Sequence, residues 1–208
     1  MGQYVRMARL VRPAVQADRE RILDVTTSAF VTEPAFAHFF ADTYDVHART
    51  FLGFLVDLRL AGGLVWVEEV DGVVVAVSMW DPPGGPQLDA GTQWELWRAA
   101  ADQLGPEVEA RLDAYDNAVH DLAPPGAHYY LGVIASDPQA RGRGHGSAVL
   151  LPGLGAADVA GLPTYLETGT AGNVGFYARF GFDVSHELDL RDGTRIWCLT
   201  RPPAVFAG

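Results

Sequence analysis

The sequence lacks most of the residues that would announce a disulfide, a metal or a membrane. It holds one cysteine, Cys198, so no internal disulfide can form. In Arg195-Ile196-Trp197-Cys198-Leu199-Thr200, a strand-like setting, a buried structural thiol is expected rather than a nucleophile. The six histidines include no pair spaced like HExxH, and one cysteine cannot build a zinc site, so no metal is expected. No apolar run reaches the roughly 18 residues of a membrane span. Met1 to Arg6 lacks the apolar core of a signal peptide, and Arg6 stands where a myristoylation motif has Ser or Thr. A cytoplasmic protein with no membrane partner is expected. Positive charge is scarce too: 15 Lys+Arg against 26 Asp+Glu give a net charge of −11. Nucleic acid needs a broad basic face, so it is not an expected partner. A cationic substrate would be drawn to such a protein, although the charge also serves plain solubility.

What remains is an ordinary globular composition, 49% hydrophobic and 20% charged, over 208 residues. That length buries one good core, and residues 1–208 are read as a single domain. Met7 to Arg12 reads as a first strand and Pro13 to Phe30 as a helix. An aromatic segment, Val31 to Phe40, follows and is expected to break at Pro34. Asp45 to Ala61 reads as a helix stopped by Gly62-Gly63. Leu64 to Val70 and Val73 to Trp80 flank Asp71-Gly72, a strong hairpin signal. Asp81 to Pro86 is a loop, and Thr92 to Leu122 reads as two helices parted near Gly105-Pro106. Tyr129 to Ala135 is a strand. After a glycine-rich turn a helix runs to about Ala160, with a kink expected at Pro152. Pro163 to Glu167 is a strand, Asn173 to Phe180 a helix, and Phe182 to Leu190 with Thr194 to Thr200 a closing strand pair. The order is mixed α and β, an α+β chain with a βαβ-like unit around the glycine turn.

That turn, Gln139-Ala140-Arg141-Gly142-Arg143-Gly144-His145-Gly146-Ser147, is the most informative stretch. Glycines let the backbone approach an anion, and the free N–H groups of a first helical turn point at it. Arg141 and Arg143 add charge-assisted hydrogen bonds. A phosphate-carrying ligand is therefore expected. The Gly-Lys-Ser/Thr ending of a P-loop is missing, the spacing is not GxGxxG, and no GxSxG elbow occurs.

Arg141-x-x-Gly144-x-Gly146 resembles the Q/R-x-x-G-x-G/A signature of the GNAT superfamily of N-acetyltransferases. Asn173-Val174-Gly175-Phe176-Tyr177 with Gly181-Phe182 resembles its second marker, and Arg12-Pro13-Ala14 its amino-terminal strand-to-helix start. Gly146 to Gly153, Tyr165 to Thr168 and Arg195 to Arg201 are similar to the puromycin N-acetyltransferase branch, over the carboxy-terminal half only. The resemblance implies a mostly antiparallel sheet flanked by helices, with a splayed strand pair at the CoA site. It implies acetyl-CoA as co-substrate, with pyrophosphate on the N–H groups of Arg141, Gly142, Arg143, Gly144, His145, Gly146 and Ser147. The side chain of His145 faces solvent or a phosphate on this reading. The pantetheine arm would lie along Val133, Ile134 and Ala135 and be bonded by Asn173. The Val133 or Ile134 amide would receive the thioester oxygen. Tyr177, one turn beyond Asn173, is the candidate general acid, with core packing as the plainer alternative. Glu167 is the candidate base, directly or through water, against a solvated strand-end carboxylate. Glu33, His38, Asp42 and Asp45 are candidates for the acceptor wall, each also readable as surface. Trp66, Trp80, Trp94 and Trp97 are candidates to line the acceptor pocket, the first two also readable as core. The implied activity is acetyl transfer to a small-molecule amine, antibiotic-like or an amino-nucleoside. A peptide N-acetyltransferase and a non-catalytic acyl-CoA sensor are the alternatives. A homodimer through a free strand edge stays open.

Overall fold

A computed structural model describes residues 8–204. Met7, in the expected first strand, and the Met1–Arg6 start lie outside the described residues. Seven strands form one sheet in the order β1-β2-β3-β4-β5-β7-β6. The first is β1 (Arg9–Pro13). β2 (Leu64–Val70) and β3 (Val73–Asp81) form the hairpin, with Asp71 at φ 50° and Gly72 at φ 80°, the left-handed pair such a turn needs. β4 (Tyr129–Ser136), β5 (Thr164–Thr168), β6 (Asp183–Asp189) and β7 (Arg195–Arg201) complete it. Every neighbouring pair is antiparallel except β4 with β5.

Two irregularities shape the middle of the sheet. β4 and β5 pair only at Tyr129 with Thr164 and Tyr130 with Tyr165, so the strands part beyond Tyr130. Against β3, Met79 faces Val133 but Trp80 faces Leu131, which leaves Gly132 as the extra residue of a bulge. The parallel pair and its splay match the architecture the resemblance implies.

The helices are α1 (Arg19–Phe30), α2 (Pro34–Phe40), α3 (Tyr44–Gly62), α4 (Ala90–Leu104), α5 (Pro106–Val119), α6 (His145–Ala160) and α7 (Ala171–Ala178). α1 and α3 cover one face of the sheet: Ile22, Val25 and Val56 pack on Val67, Val77 and Val133. α6 covers the other, with Leu150 and Leu154 against Trp80 and Leu166. Gly153 is what allows that approach, since a Cβ there would stand 2.1 Å from the Trp80 ring. A third cluster, rich in phenylalanine, joins α2, α3, α4 and α5.

Two expectations are revised. Pro34 does not break its segment; it opens α2, where proline's missing N–H costs nothing. Glu33 caps that helix, accepting from the Ala35 and Phe36 N–H groups at 2.7 and 3.3 Å. The helix from Pro13 begins as a short 3-10 turn, Gln16–Asp18, before α1. α6 starts at His145 and runs through Pro152 to Ala160 as one element. Cys198 is fully buried in β7, as a structural thiol should be.

Candidate active site

The glycine turn sits between β4 and α6. Gly142 and Gly144 take φ of 79° and 82°, conformations that favour glycine. The first bond onto α6 runs from the Ala148 N–H to the Gly144 carbonyl, 3.1 Å. The amides of His145, Gly146 and Ser147 precede it and have no helical partner. They open onto a cavity of about 690 Å³ that also takes in Ile134 and Ala135. The turn therefore offers an anion what the sequence suggests, main-chain donors at a helix start.

The cations are arranged differently. Arg141 lines the cavity and donates Nη2 to the Ala29 carbonyl at 2.9 Å. Arg143 does not line it; its carbonyl accepts from Arg9 Nη1 at 3.3 Å. Arg179, at the end of α7, lines it instead, its guanidinium 5.2 Å from the centre of the Phe176 ring. Nothing in the glycine motif pointed to Arg179.

The His145 side chain is not turned to solvent. It is 5% exposed, with Nδ1 2.8 Å from Glu68 Oε2. Glu68, 1% exposed at the irregular register of β2, also accepts from Arg9 Nε at 2.6 Å. A buried carboxylate is costly unless paired and hydrogen-bonded. Here it holds the glycine turn to the sheet through Arg9 and His145.

A second cavity, about 500 Å³, lies between β4, β5 and the helices α2 to α5. Phe36, Phe51, Trp97, Leu112 and Tyr115 are among its walls. The two cavities share Phe30, Glu33, Ile134, Asn173 and Tyr177 in their walls, so they adjoin at those residues. Val133 lines the second cavity and Ala135 the first, with Ile134 in both, which makes β4 their common floor.

Tyr177 is 4% exposed and stands at the junction. Its ring packs on Phe176 and Phe182 at 5.1 and 5.6 Å. Burial, with the charge of Glu33 adding, raises its phenol above the ordinary value and keeps the proton on. Asn173 Nδ2 donates to Thr168 Oγ1 at 3.0 Å. Glu167 lies on the wall of the second cavity, accepting from the Tyr130 hydroxyl at 2.8 Å. Burial pushes its carboxyl up to about 7, against the opposing hydrogen bond from Tyr130. A carboxyl titrating there is suited to proton transfer at neutral pH. Tyr130, its partner, was visible in the sequence only as a strand residue.

The other candidates divide. Glu33 lines both cavities while capping α2, and accepts from the Gly169 N–H at 3.1 Å. Burial raises its carboxyl above the usual range. His38 turns away to Asp192, 2.7 Å, and neither Asp42 nor Asp45 lines a cavity. Trp97 is the tryptophan at the pocket, packed on Phe54 at 5.3 Å. Trp80 is core, Trp66 packs against that same core, and Trp94 is exposed. Among the described residues no His, Cys, Asp and Glu cluster could hold a metal, and no helix is long and apolar enough to cross a membrane.

No protein-family model matches the sequence. Solved structures do. A Corynebacterium glutamicum protein, described as histone acetyltransferase HPA2 and related acetyltransferase, is 27% identical, with TM-score 0.70, covering 97% of this chain and 100% of its own. A GNAT family acetyltransferase from Brucella melitensis, solved with acetyl-CoA, is 22% identical, with TM-score 0.51, covering 97% and 93%. An agmatine N-acetyltransferase is 15% identical, with TM-score 0.61, covering 94% and 100%. This is the GNAT fold. The Corynebacterium match, end to end at that identity, supports an acyltransferase of the N-acetyltransferase kind. A GNAT sheet with its splayed pair accounts for why the two cavities meet on β4.

Proposed function

We propose that this GNAT-fold protein transfers acetyl from acetyl-CoA to a primary amine of a small molecule, by direct attack with both substrates bound. The observation that carries the reading is the pair of cavities that adjoin at Ile134, Asn173 and Tyr177. One has the free amides a pyrophosphate needs; the other has a carboxyl near 7 and aromatic walls. The Brucella neighbour binds acetyl-CoA on the same fold, which fits this co-substrate.

Pyrophosphate sits on the amides of the turn from Arg141 to Ser147, with Arg141 and Arg179 beside it. The pantetheine arm follows β4 into the splay, where the strand's amides are unpaired by β5. Glu167 removes a proton from the incoming ammonium. The free amine attacks the thioester carbon, and the Val133 or Ile134 amide stabilises the oxyanion. As the carbon–sulfur bond breaks, Tyr177 gives its proton to the departing thiolate, and the second amine proton passes through water to the Tyr177 phenolate, while Glu167 returns its proton to solvent. The products are the acetylated amine and free CoA.

The cavity is half-open, and its volume of about 500 Å³ with aromatic walls from α2 to α5 suits a small acceptor. The acidic wall favours a cation, and the agmatine enzyme shows that the fold serves a small amine. An antibiotic-like or amino-nucleoside amine is the class the puromycin-branch motifs suggest. One domain, acting in the cytoplasm without nucleic acid, completes the reading.

The test is release of CoA thiol from acetyl-CoA with a panel of small amines. The chain contains no lysine, so acetyl groups cannot collect on its own side-chain ammonium groups. Amine-dependent thiol release is expected. Thiol release indifferent to every amine, with tight acetyl-CoA binding, would return the protein to the sensor class.

A further inference from the structure

The main-chain pairing of β4 with β5 ends at Tyr130, which stands opposite Tyr165. Alternation along β5 puts Tyr165 and Glu167 on one face of the sheet, and the pairing puts Tyr130 there with them. The Tyr130 ring lies over Tyr165, with centroids 6.1 Å apart and planes 30° from parallel. From that position its hydroxyl donates to Glu167 Oε2 at 2.8 Å. A side-chain bond therefore spans the gap at the point where the backbone ladder stops.

The two oxygens of this carboxylate are not equivalent. Oε2 is held by Tyr130, and Oε1 accepts no hydrogen bond among the described residues. Oε1 is not one of the buried polar atoms left unsatisfied, so it is the oxygen open to the cavity that Glu167 lines. Burial and the facing carboxyl raise the Tyr130 phenol well above its ordinary value, so it stays the donor.

Other groups surround this carboxyl without holding it. Tyr165 and Cys198 are beside it in the sheet, and Tyr115 and Asp116 come from α5. Asp81 stands opposite Tyr130 in β3 with its partner Arg59, and Glu33 and Asp113 line the same cavity. Among the described residues Tyr130 alone hydrogen-bonds Glu167. Aim matters for a base, since misplacing a reacting group by about 1 Å costs on the order of 10²-fold.

We propose that Tyr130 is the positioning residue of the base: it ties Glu167 Oε2 across the splay and so presents Oε1 to the ammonium of the acceptor. As the proton passes, a nitrogen–hydrogen bond breaks and an oxygen–hydrogen bond forms at Oε1, while Tyr130 keeps its own proton. This rests on the acetyltransferase reading with Glu167 as base and adds the residue that aims it.

The experiment measures kcat over a pH series at saturating acetyl-CoA, with the best amine of the thiol-release panel as acceptor. The wild type is compared with Tyr130→Phe, Glu167→Gln and the double variant. Losing a hydrogen bond to its charged form moves a carboxyl upward. In Tyr130→Phe the ascending limb is expected to move up by about one pH unit, and kcat at pH 7 to fall about 10-fold or more. A limb owned by the amine stays in place in every variant. In the Glu167→Gln background there is no base to aim, and adding Tyr130→Phe is expected to change kcat by less than about 2-fold. A limb that does not move, or an equal loss with and without Glu167, shows a packing role and overturns the proposal.

A second arm needs no turnover and keeps both the ring and the hydroxyl. A ring-fluorinated tyrosine is placed at position 130 alone, and its fluorine resonance is followed against pH. The signal is expected to shift with a midpoint at about 7, the value of the Glu167 carboxyl, and to stay flat in Glu167→Gln. A flat signal in the otherwise wild-type protein, or an unchanged titration in the glutamine variant, overturns the assignment of Tyr130. If no amine is acetylated, the functional reading fails, and the fluorine titration still decides whether Tyr130 holds Glu167.

Discussion

The proposed cofactor cavity presents main chain where the proposed acceptor cavity presents side chains. Around α6 the donors are the amides of three consecutive residues, and the special conformations are those of Gly142 and Gly144, all within one short stretch. The acceptor cavity draws Phe36, Arg59, Trp97, Tyr115, Tyr130 and Glu167 from six elements far apart in the chain. A seat of main-chain amides tolerates change in most neighbouring side chains but not in its glycines. A seat of side chains can be retuned one residue at a time. Substitutions should therefore separate: those near the turn should change affinity for acetyl-CoA, and those beyond Ile134 should change turnover or acceptor choice.

Tyr177 stands on the boundary and gives the sharpest way to break that division. Tyr177→Phe keeps the ring packing on Phe176 and Phe182 and removes the phenol proton. Turnover should drop by about 10²–10⁴ with acetyl-CoA affinity unchanged in calorimetry. Full turnover would leave Tyr177 as packing alone.

Glu167 lies wholly on the acceptor side. As the proposed base it acts as the carboxylate, and its carboxyl is pushed up to about 7, so kcat should rise with pH through that value. Glu167→Gln should abolish that limb and cost about 100-fold at pH 8, measured across a pH series. The sign for stability is opposite. A carboxyl whose folded value lies above the ordinary 4.5 favours the fold below 4.5 and loses that contribution as pH rises through about 7. The glutamine variant should therefore melt higher than the wild type at pH 8 and show no such gain at pH 4.

Glu68 tests the other side with the smallest effect. Glu68→Gln weakens the contacts that hold Arg9 and His145, and through them the glycine turn. Stability should fall by about 1–3 kcal/mol in thermal or denaturant unfolding. Turnover at saturating acetyl-CoA should be kept, because no acceptor-side residue has changed.

The same contrast explains what could be read from the sequence. The hairpin was legible because Asp71-Gly72 suits one tight turn between two apolar runs. The glycine turn was legible because it is local: a strand, glycines and a helix start in order. Pro34 was misread because proline ends helices as readily as it begins them, and Glu33 as a cap decides which. The burial of His145 was invisible because its partner Glu68 is a strand away in sequence and meets it only in the folded sheet. Arg59 gave no signal at all; a lone arginine in an amphipathic helix looks like surface until the bulge at Gly132 and Asp81 close around it.

The central claim is that the diphosphate of acetyl-CoA rests on the amides at the start of α6. Titration calorimetry of acetyl-CoA into Gly144→Val, beside Gly146→Val and the wild type, tests it most directly, with thermal unfolding to verify the fold. A Cβ at Gly144 meets no atom within 4 Å but its φ of 82° strains a valine, whereas one at Gly146 has no such φ and comes only to 3.7 Å from the Phe176 ring, so Gly146→Val is the cleaner probe of the space for the anion. The account predicts affinity at least about 10-fold weaker in both folded variants, 1.4 kcal/mol or more of lost binding. Wild-type affinity in either folded variant would contradict it.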